Sequence, residues 1–153
     1  MKILLAMDGS KFSESAAEAL IQQYKPQDTE VHILHVVESL RPMPLPYSYG
    51  VGEAFAQDYM AVVQQWRADG EVMVARTAKQ LQAAGFKATT QVEEGDPKDL
   101  ILECAKKWRP DVILLGSHGK KGLDRFLLGS VSDAVARHAP CSVEIVRAPA
   151  KAA

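Results

Sequence analysis

The stretch Asp111–His138, DVILLGSHGKKGLDRFLLGSVSDAVARH, decides how this chain is read. It opens with an apolar run, Val112-Ile113-Leu114-Leu115, that lacks the alternation of a half-exposed strand. Such a run suits a parallel strand covered on both faces. Gly116 ends it, a polar loop with Gly119 and Gly122 follows, and Gly129-Ser130 opens a helical pattern carrying Val131, Ala134 and Val135. Glycines let backbone N–H groups approach a ligand closely, and the first turn of a helix leaves N–H groups unpaired. Strand, glycine loop and helix start together make a phosphate cradle. The same residues also read as an ordinary capped helix, with Ser130 at the N-cap and Asp133 as the acidic arm of a capping box. On this local pattern alone the two readings stand level.

Outward from there, apolar runs and helical patterns alternate. Lys2–Met7 reads as a buried strand closed by Asp8-Gly9-Ser10, and Phe12–Tyr24 as a helix capped by Ser10 or Ser13 and stopped by Pro26. Glu30–Val37 is a second, β-branched strand. Glu38–Gly52 holds three prolines and two tyrosines, so it is a loop, a lid or a partner surface rather than regular structure. A long helix is expected from Glu53 to Ala84, weakened or kinked at Asp69-Gly70, with Gly85 closing it. Phe86–Glu93 is a third strand; Asp96 caps a helix with Pro97 at its first position, and Pro110 ends it. Cys141–Arg147 is the fifth strand and 149–153 a frayed tail, leaving one domain over 1–148. The alternation predicts an α/β fold, a parallel sheet with helices on both faces. Ligands in such sheets bind beyond the carboxyl ends of the strands where strand order reverses. If the first and fourth strands meet there, Asp8 faces the Gly116–Ser130 loop.

A formal net charge of −1 gives no support to a general nucleic-acid or membrane-surface role. Two cysteines, Cys104 and Cys141, make neither a disulfide framework nor a zinc site; Cys104 reads as core. The apolar run Ile3–Met7 is too short for a signal-peptide core, so a cytoplasmic location is the expectation. His32 and His35 are read as sharing one face of the second strand, spaced for a metal but without a third ligand. His118 is read as a loop histidine, solvated or placed to polarise a phosphate, and Lys120, Lys121 and Arg125 as cations able to neutralise one. There is no Walker G-x-x-x-x-G-K-[ST] sequence.

With Gly116-x2-Gly119-x9-Gly129-Ser130, the strand-end Asp8, the Gly95-Asp96-Pro97 turn and Ala139-Pro140-Cys141, the whole chain resembles the universal stress protein family. The resemblance implies a Rossmann-like, adenine nucleotide alpha hydrolase-like sheet of five parallel strands in the order 3-2-1-4-5. It also implies an ATP site. Asp8, with Met7 beside it, would contact the adenosine part, and the backbone of Val36 and Val37 the adenine. Gly116, Gly119 and Gly129 would match the motif glycines, with Ser130, Val131 and Ser132 as the phosphate-binding helix start. Mg2+ would be held by the phosphates, with no separate carboxylate cluster. Function would be that of a nucleotide-dependent stress-response module; a slow ATPase or a nucleotide-free scaffold are the alternatives. Family members pair their last strands into homodimers, a role open here to Val143, Ile145 and Val146. Ser142 stands where many members carry proline, and Glu144 puts a charge in mid-strand, which is also a defence against edge pairing.

Overall fold

The computed structural model describes residues 1–38, 51–120 and 128–148, the backbone alone over 51–55. The segment 39–50, with its prolines and tyrosines, and the expected tail 149–153 lie outside the described residues. Five parallel strands, β1 (Lys2–Met7), β2 (Glu30–Glu38), β3 (Lys87–Gly95), β4 (Val112–Gly116) and β5 (Ser142–Val146), form one sheet in the order β3-β2-β1-β4-β5. Helices α1 (Lys11–Gln23), α2 (Val51–Ala83), α3 (Pro97–Trp108) and α4 (Ser130–His138) connect them, with a short 3-10 turn at Pro26–Asp28. The predicted fold class and strand order are therefore observed.

Period-two alternation of the strands splits the core into two layers. Ile3, Leu5 and Met7 of β1, Val31 and Ile33 of β2 and Leu114 of β4 pack with Ala16 and Leu20 of α1 and Val74, Ala78 and Leu81 of α2. Leu4 and Ala6, Leu34, and Ile113 and Leu115 pack on the other face with Ile101 and Cys104 of α3 and Val135 of α4. Each fully buried Leu or Ile contributes about 1.5–3 kcal/mol, so the unbroken apolar runs of β1 and β4 are the deepest part of the molecule.

Local signals set most boundaries. Ser10 is the N-cap of α1, its hydroxyl oxygen accepting from Ser13 N at 3.3 Å. Asp96 caps α3 by accepting from Lys98 N at 2.8 Å, with Pro97 following. Gly85, at φ +94°, closes α2 in the left-handed conformation that favours glycine.

One expectation about β2 fails. His32 and His35 do not share a face: three residues apart on a strand, they point to opposite sides. His32 lies against Trp108 of α3, ring centroids 5.3 Å apart, while a Cβ on Gly70 of α2 would come within 2.4 Å of the His35 ring. The expected long helix is continuous through Gly70, which makes room there for the His35 imidazole.

Candidate functional site

Where β1 ends, Asp8 holds two loops together. One carboxylate oxygen accepts from Ser10 N at 3.0 Å and Ser10 Oγ at 2.7 Å, shaping the turn into α1. The other accepts from Lys120 N at 3.0 Å, fixing the loop that leaves β4. Because β1 and β4 are neighbours and the strand order reverses between them, this point is the crevice where an open α/β sheet receives a ligand.

The three motif glycines answer to different neighbours. A Cβ on Gly116 would stand 2.6 Å from the Phe12 carbonyl carbon, so Gly116 lets α1 lie directly on β4. On Gly119 it would stand 2.9 Å from an Asp8 carboxylate oxygen. On Gly129 it would stand 3.2 Å from His118 Cα and 3.6 Å from Gly119 N, and Gly129 N donates to the Ser117 carbonyl at 2.8 Å. The last two glycines therefore keep side chains out of a narrow space between β1, the loop and α4.

That space faces the start of α4. Here the expected capping box is absent: Gly129, not Ser130, is the N-cap, and no side chain accepts from the first turn. Ser130 is already helical, and Asp133 instead accepts from Arg137 Nε at 3.0 Å, one turn on. A capping serine must sit outside the helix in extended conformation, and here glycine takes that place, where a Cβ would crowd the His118 Cα at 3.2 Å. The N–H groups of Ser130, Val131 and Ser132 are left without a side-chain cap, at the positive end of the helix dipole. Ser132 has its hydroxyl committed, buried and donating to the Gly116 carbonyl at 2.8 Å. Its remaining offer to a ligand is its main-chain N–H. Ser130 is exposed.

On the other flank, β1 pairs with β2 only as far as Met7 opposite His35. Val36 and Val37 continue beside Glu93 and Glu94 of β3, but no β1 residue stands opposite them. Among the described residues no strand pairs with their main chain on that side, at the carboxyl end of the sheet. His35 is fixed there by donating Nδ1–H to the Met7 carbonyl at 2.8 Å, since a carbonyl can only accept.

Two contributors escaped the sequence reading. Ser117, 1% exposed, donates its N–H to the Val146 carbonyl at 2.8 Å and ties the loop to β5. Phe12 packs on His118, ring centroids 5.1 Å apart. The only local clue to Ser117 was its place inside Gly-Ser-His-Gly. His118 is not a freely solvated loop residue: Nδ1 meets Ser117 Oγ at 3.0 Å, and Nε2 is buried with no hydrogen-bond partner among the described residues. Lys121, Gly122 and Arg125 lie outside the described residues. Among the described residues no group of three or more His, Cys, Asp or Glu is placed to hold a metal. Burial pushes the Cys104 and Cys141 thiols up, which favours the protonated form of both. A groove of about 400 Å³ between α1 and α2 has Met7 among its lining, but neither Asp8 nor a loop glycine. Among the described residues no helix is long and apolar enough to cross a membrane.

Comparison with known proteins adds the family. A model described as the universal stress protein family matches residues 1–147. The universal stress protein MJ0531 of Methanocaldococcus jannaschii is 33% identical over 150 residues, 98% of this chain and 84% of the relative. Universal stress protein UspA from Lactobacillus plantarum has the same fold at TM-score 0.80 and 22% identity, over 96% of this chain and 97% of that one. So does a universal stress protein family member from Arabidopsis thaliana solved with AMP bound, at TM-score 0.69 and 23% identity, over 98% and 93%. A model match over nearly the whole length and a relative of this identity agree with the architecture, and the chain belongs to the universal stress protein family.

Proposed function

We propose that this chain is a single-domain module that binds an adenine nucleotide between β1, the Gly116–Gly129 loop and the start of α4, and that ATP is its ligand. One observation carries the reading: Gly119 and Gly129 hold open a cradle that a Cβ would fill, beside an uncapped helix start. The Arabidopsis relative with bound AMP supports it. In this reading Asp8 and Met7 meet the adenosine part, the open main-chain edge of Val36 and Val37 meets the adenine, and the phosphates rest on Gly116, Gly119, Gly129, Ser130, Val131 and Ser132. Mg2+ would ride on the phosphates, since the described residues offer no ligand cluster of their own. The output is regulatory, a cytoplasmic stress response governed by nucleotide occupancy.

The module works as a homodimer through β5. Glu144 does not oppose this, because strand side chains point to the sheet faces rather than along its edge. It accepts from Tyr24 Oη at 2.6 Å on the α1 face, while Val143 and Ile145 pack on the opposite layer and Val146 on the α1 layer. Among the described residues no strand pairs with the outer edge of β5, which is where the second copy would pair.

Denaturing the purified protein and separating the supernatant by ion exchange tests the site. A near-stoichiometric ATP peak supports a switch with slow turnover, and mostly ADP favours an ATPase. No nucleotide, followed by no binding in titration with ATP and Mg2+, ends the proposal.

A further inference from the structure

His35 is buried, and period-two alternation sets it with Val31 and Ile33 on the α1–α2 side of β2. It is also the last β2 residue paired with β1. Main chain holds its ring on two edges. The Nδ1–H edge donates to the Met7 carbonyl at 2.8 Å, a side-chain bond placed where the β1–β2 ladder stops. The other edge lies on α2, where a Cβ on Gly70 would come within 2.4 Å of Cδ2 and 3.0 Å of Nε2. Gly70 belongs to the sheet-facing side of that helix, in line with buried Val63 two turns before it and buried Val74 one turn after. Glycine is a poor helix former, so it is the nearness of the ring, not helix propensity, that suits it to this position.

The ring is thus a wedge between α2 and the carboxyl end of β1. Met7, which accepts from it, precedes Asp8, whose carboxylate holds both loops. Val36 and Val37 follow it on β2 and run past the last β1 pair. In the nucleotide reading these two main-chain segments flank the adenosine. A bond that fixes their separation before a ligand arrives lowers the ordering cost of binding.

We infer that His35 is a positioning residue, carrying the placement of α2 at Gly70 to the main chain at Met7 and Val36 and so setting the affinity of the adenosine side of the site. The inference rests on the adenine-nucleotide reading of that site and adds the element that regulates it. His35 acts through the Met7 carbonyl rather than on the ligand. Coupling of this kind is reciprocal, so bound nucleotide in turn fixes α2 at Gly70.

Calorimetric titration of AMP and ATP, into protein freed of copurified nucleotide and shown folded by circular dichroism, tests this. His35→Leu keeps apolar bulk but donates nothing. His35→Asn supplies an amide N–H near the place of Nδ1–H, without a ring edge toward Gly70. Gly70→Ala presses a Cβ onto the ring, and it is made alone and together with His35→Asn. The expected result is that His35→Leu weakens AMP and ATP alike, by about fivefold, the scale of one neutral hydrogen bond. His35→Asn restores both affinities. Gly70→Ala weakens both when the ring is present and changes neither when combined with His35→Asn. Unchanged affinity in every folded variant would overturn the inference, because the histidine would then only fill space. Equal weakening by Gly70→Ala with and without the ring would overturn it too, as would a loss that grows from AMP to ATP. Should His35→Leu not fold, the two Gly70→Ala chains decide; should those not fold, His35→Leu against His35→Asn decides. If the unaltered chain binds neither nucleotide, the nucleotide reading falls and this inference with it.

Discussion

The β1–β4 pair is closed at one end and open at the other. At its amino end, Lys2 N donates to an Asp111 carboxylate oxygen at 2.7 Å, and Asp111 N donates to the Lys2 carbonyl at 2.8 Å. Met1 adds its own carbonyl, which accepts from Glu30 N at 2.9 Å. Main-chain groups there are consumed in stitching neighbouring chains together. At the carboxyl end the same two strands diverge into turns toward α1 and α4. A carboxylate holds the loops, and among the described residues no side chain caps the start of α4. The buried apolar run contributes equally to both ends. What distinguishes them is where the chain reverses strand order, so that two connections leave in opposite directions and a crevice opens.

That contrast can be broken first at Gly116. Gly116→Ala drives a Cβ into the main chain of Phe12, and overpacking of this kind should cost about 2–3 kcal/mol in a denaturant melt. A loss below about 0.5 kcal/mol would mean that α1 shifts freely on β4. Next comes Gly119→Val, which fills the cradle against Asp8. Nucleotide affinity should fall at least about tenfold while the circular dichroism spectrum is kept, the expected scale for losing a charged contact. Retained affinity with retained fold would show that the open end is not the ligand site.

The closed end offers the matching control. Asp111→Ala removes an exposed acceptor, so stability should drop by about 1 kcal/mol with nucleotide affinity unchanged. The smallest effect concerns Tyr24, whose hydroxyl is pushed up to about 12 by burial first and by the bond to Glu144 second. A raised folded value means that this contribution is fully present below the ordinary tyrosine range near 10 and is lost as pH rises through about 12. Unfolding curves of the unaltered chain should therefore weaken more steeply between those values than those of Tyr24→Phe. Parallel slopes would show that the tyrosine–glutamate bond adds nothing.

The chain carries its local instructions openly. Val112–Leu115 reads as a covered strand because no polar residue interrupts it, and Asp96-Pro97 reads as a helix start because cap and first-turn geometry are local. Other signals were ambiguous because their partner lies far along the chain. Gly70 is weak helix-forming chemistry in any window, and only the His35 ring beneath it explains its presence. Gly116 belongs to the motif, yet its nearest constraint is Phe12 rather than an open cradle. Ser130 reads as a cap, but the cap is Gly129, chosen by the closeness of His118. The histidines of β2 were misplaced by a spacing that period two sends to opposite faces.

What the sequence determined by itself is the alternation of strands and helices, the two-sided burial of β1 and β4, most helix ends and the glycine spacing. Each of these depends on residues within one or two turns of each other, where backbone geometry and hydrophobic period act directly. Only the tertiary structure decided that Asp8 spans two loops, that Lys120 folds over Gly9, that Glu144 is held by Tyr24 and that glycine rather than serine caps α4. Those contacts join residues as far apart as Asp8 and Lys120, and no local window contains both partners. The sheet brings them together, and the reversal of strand order between β1 and β4 determines where.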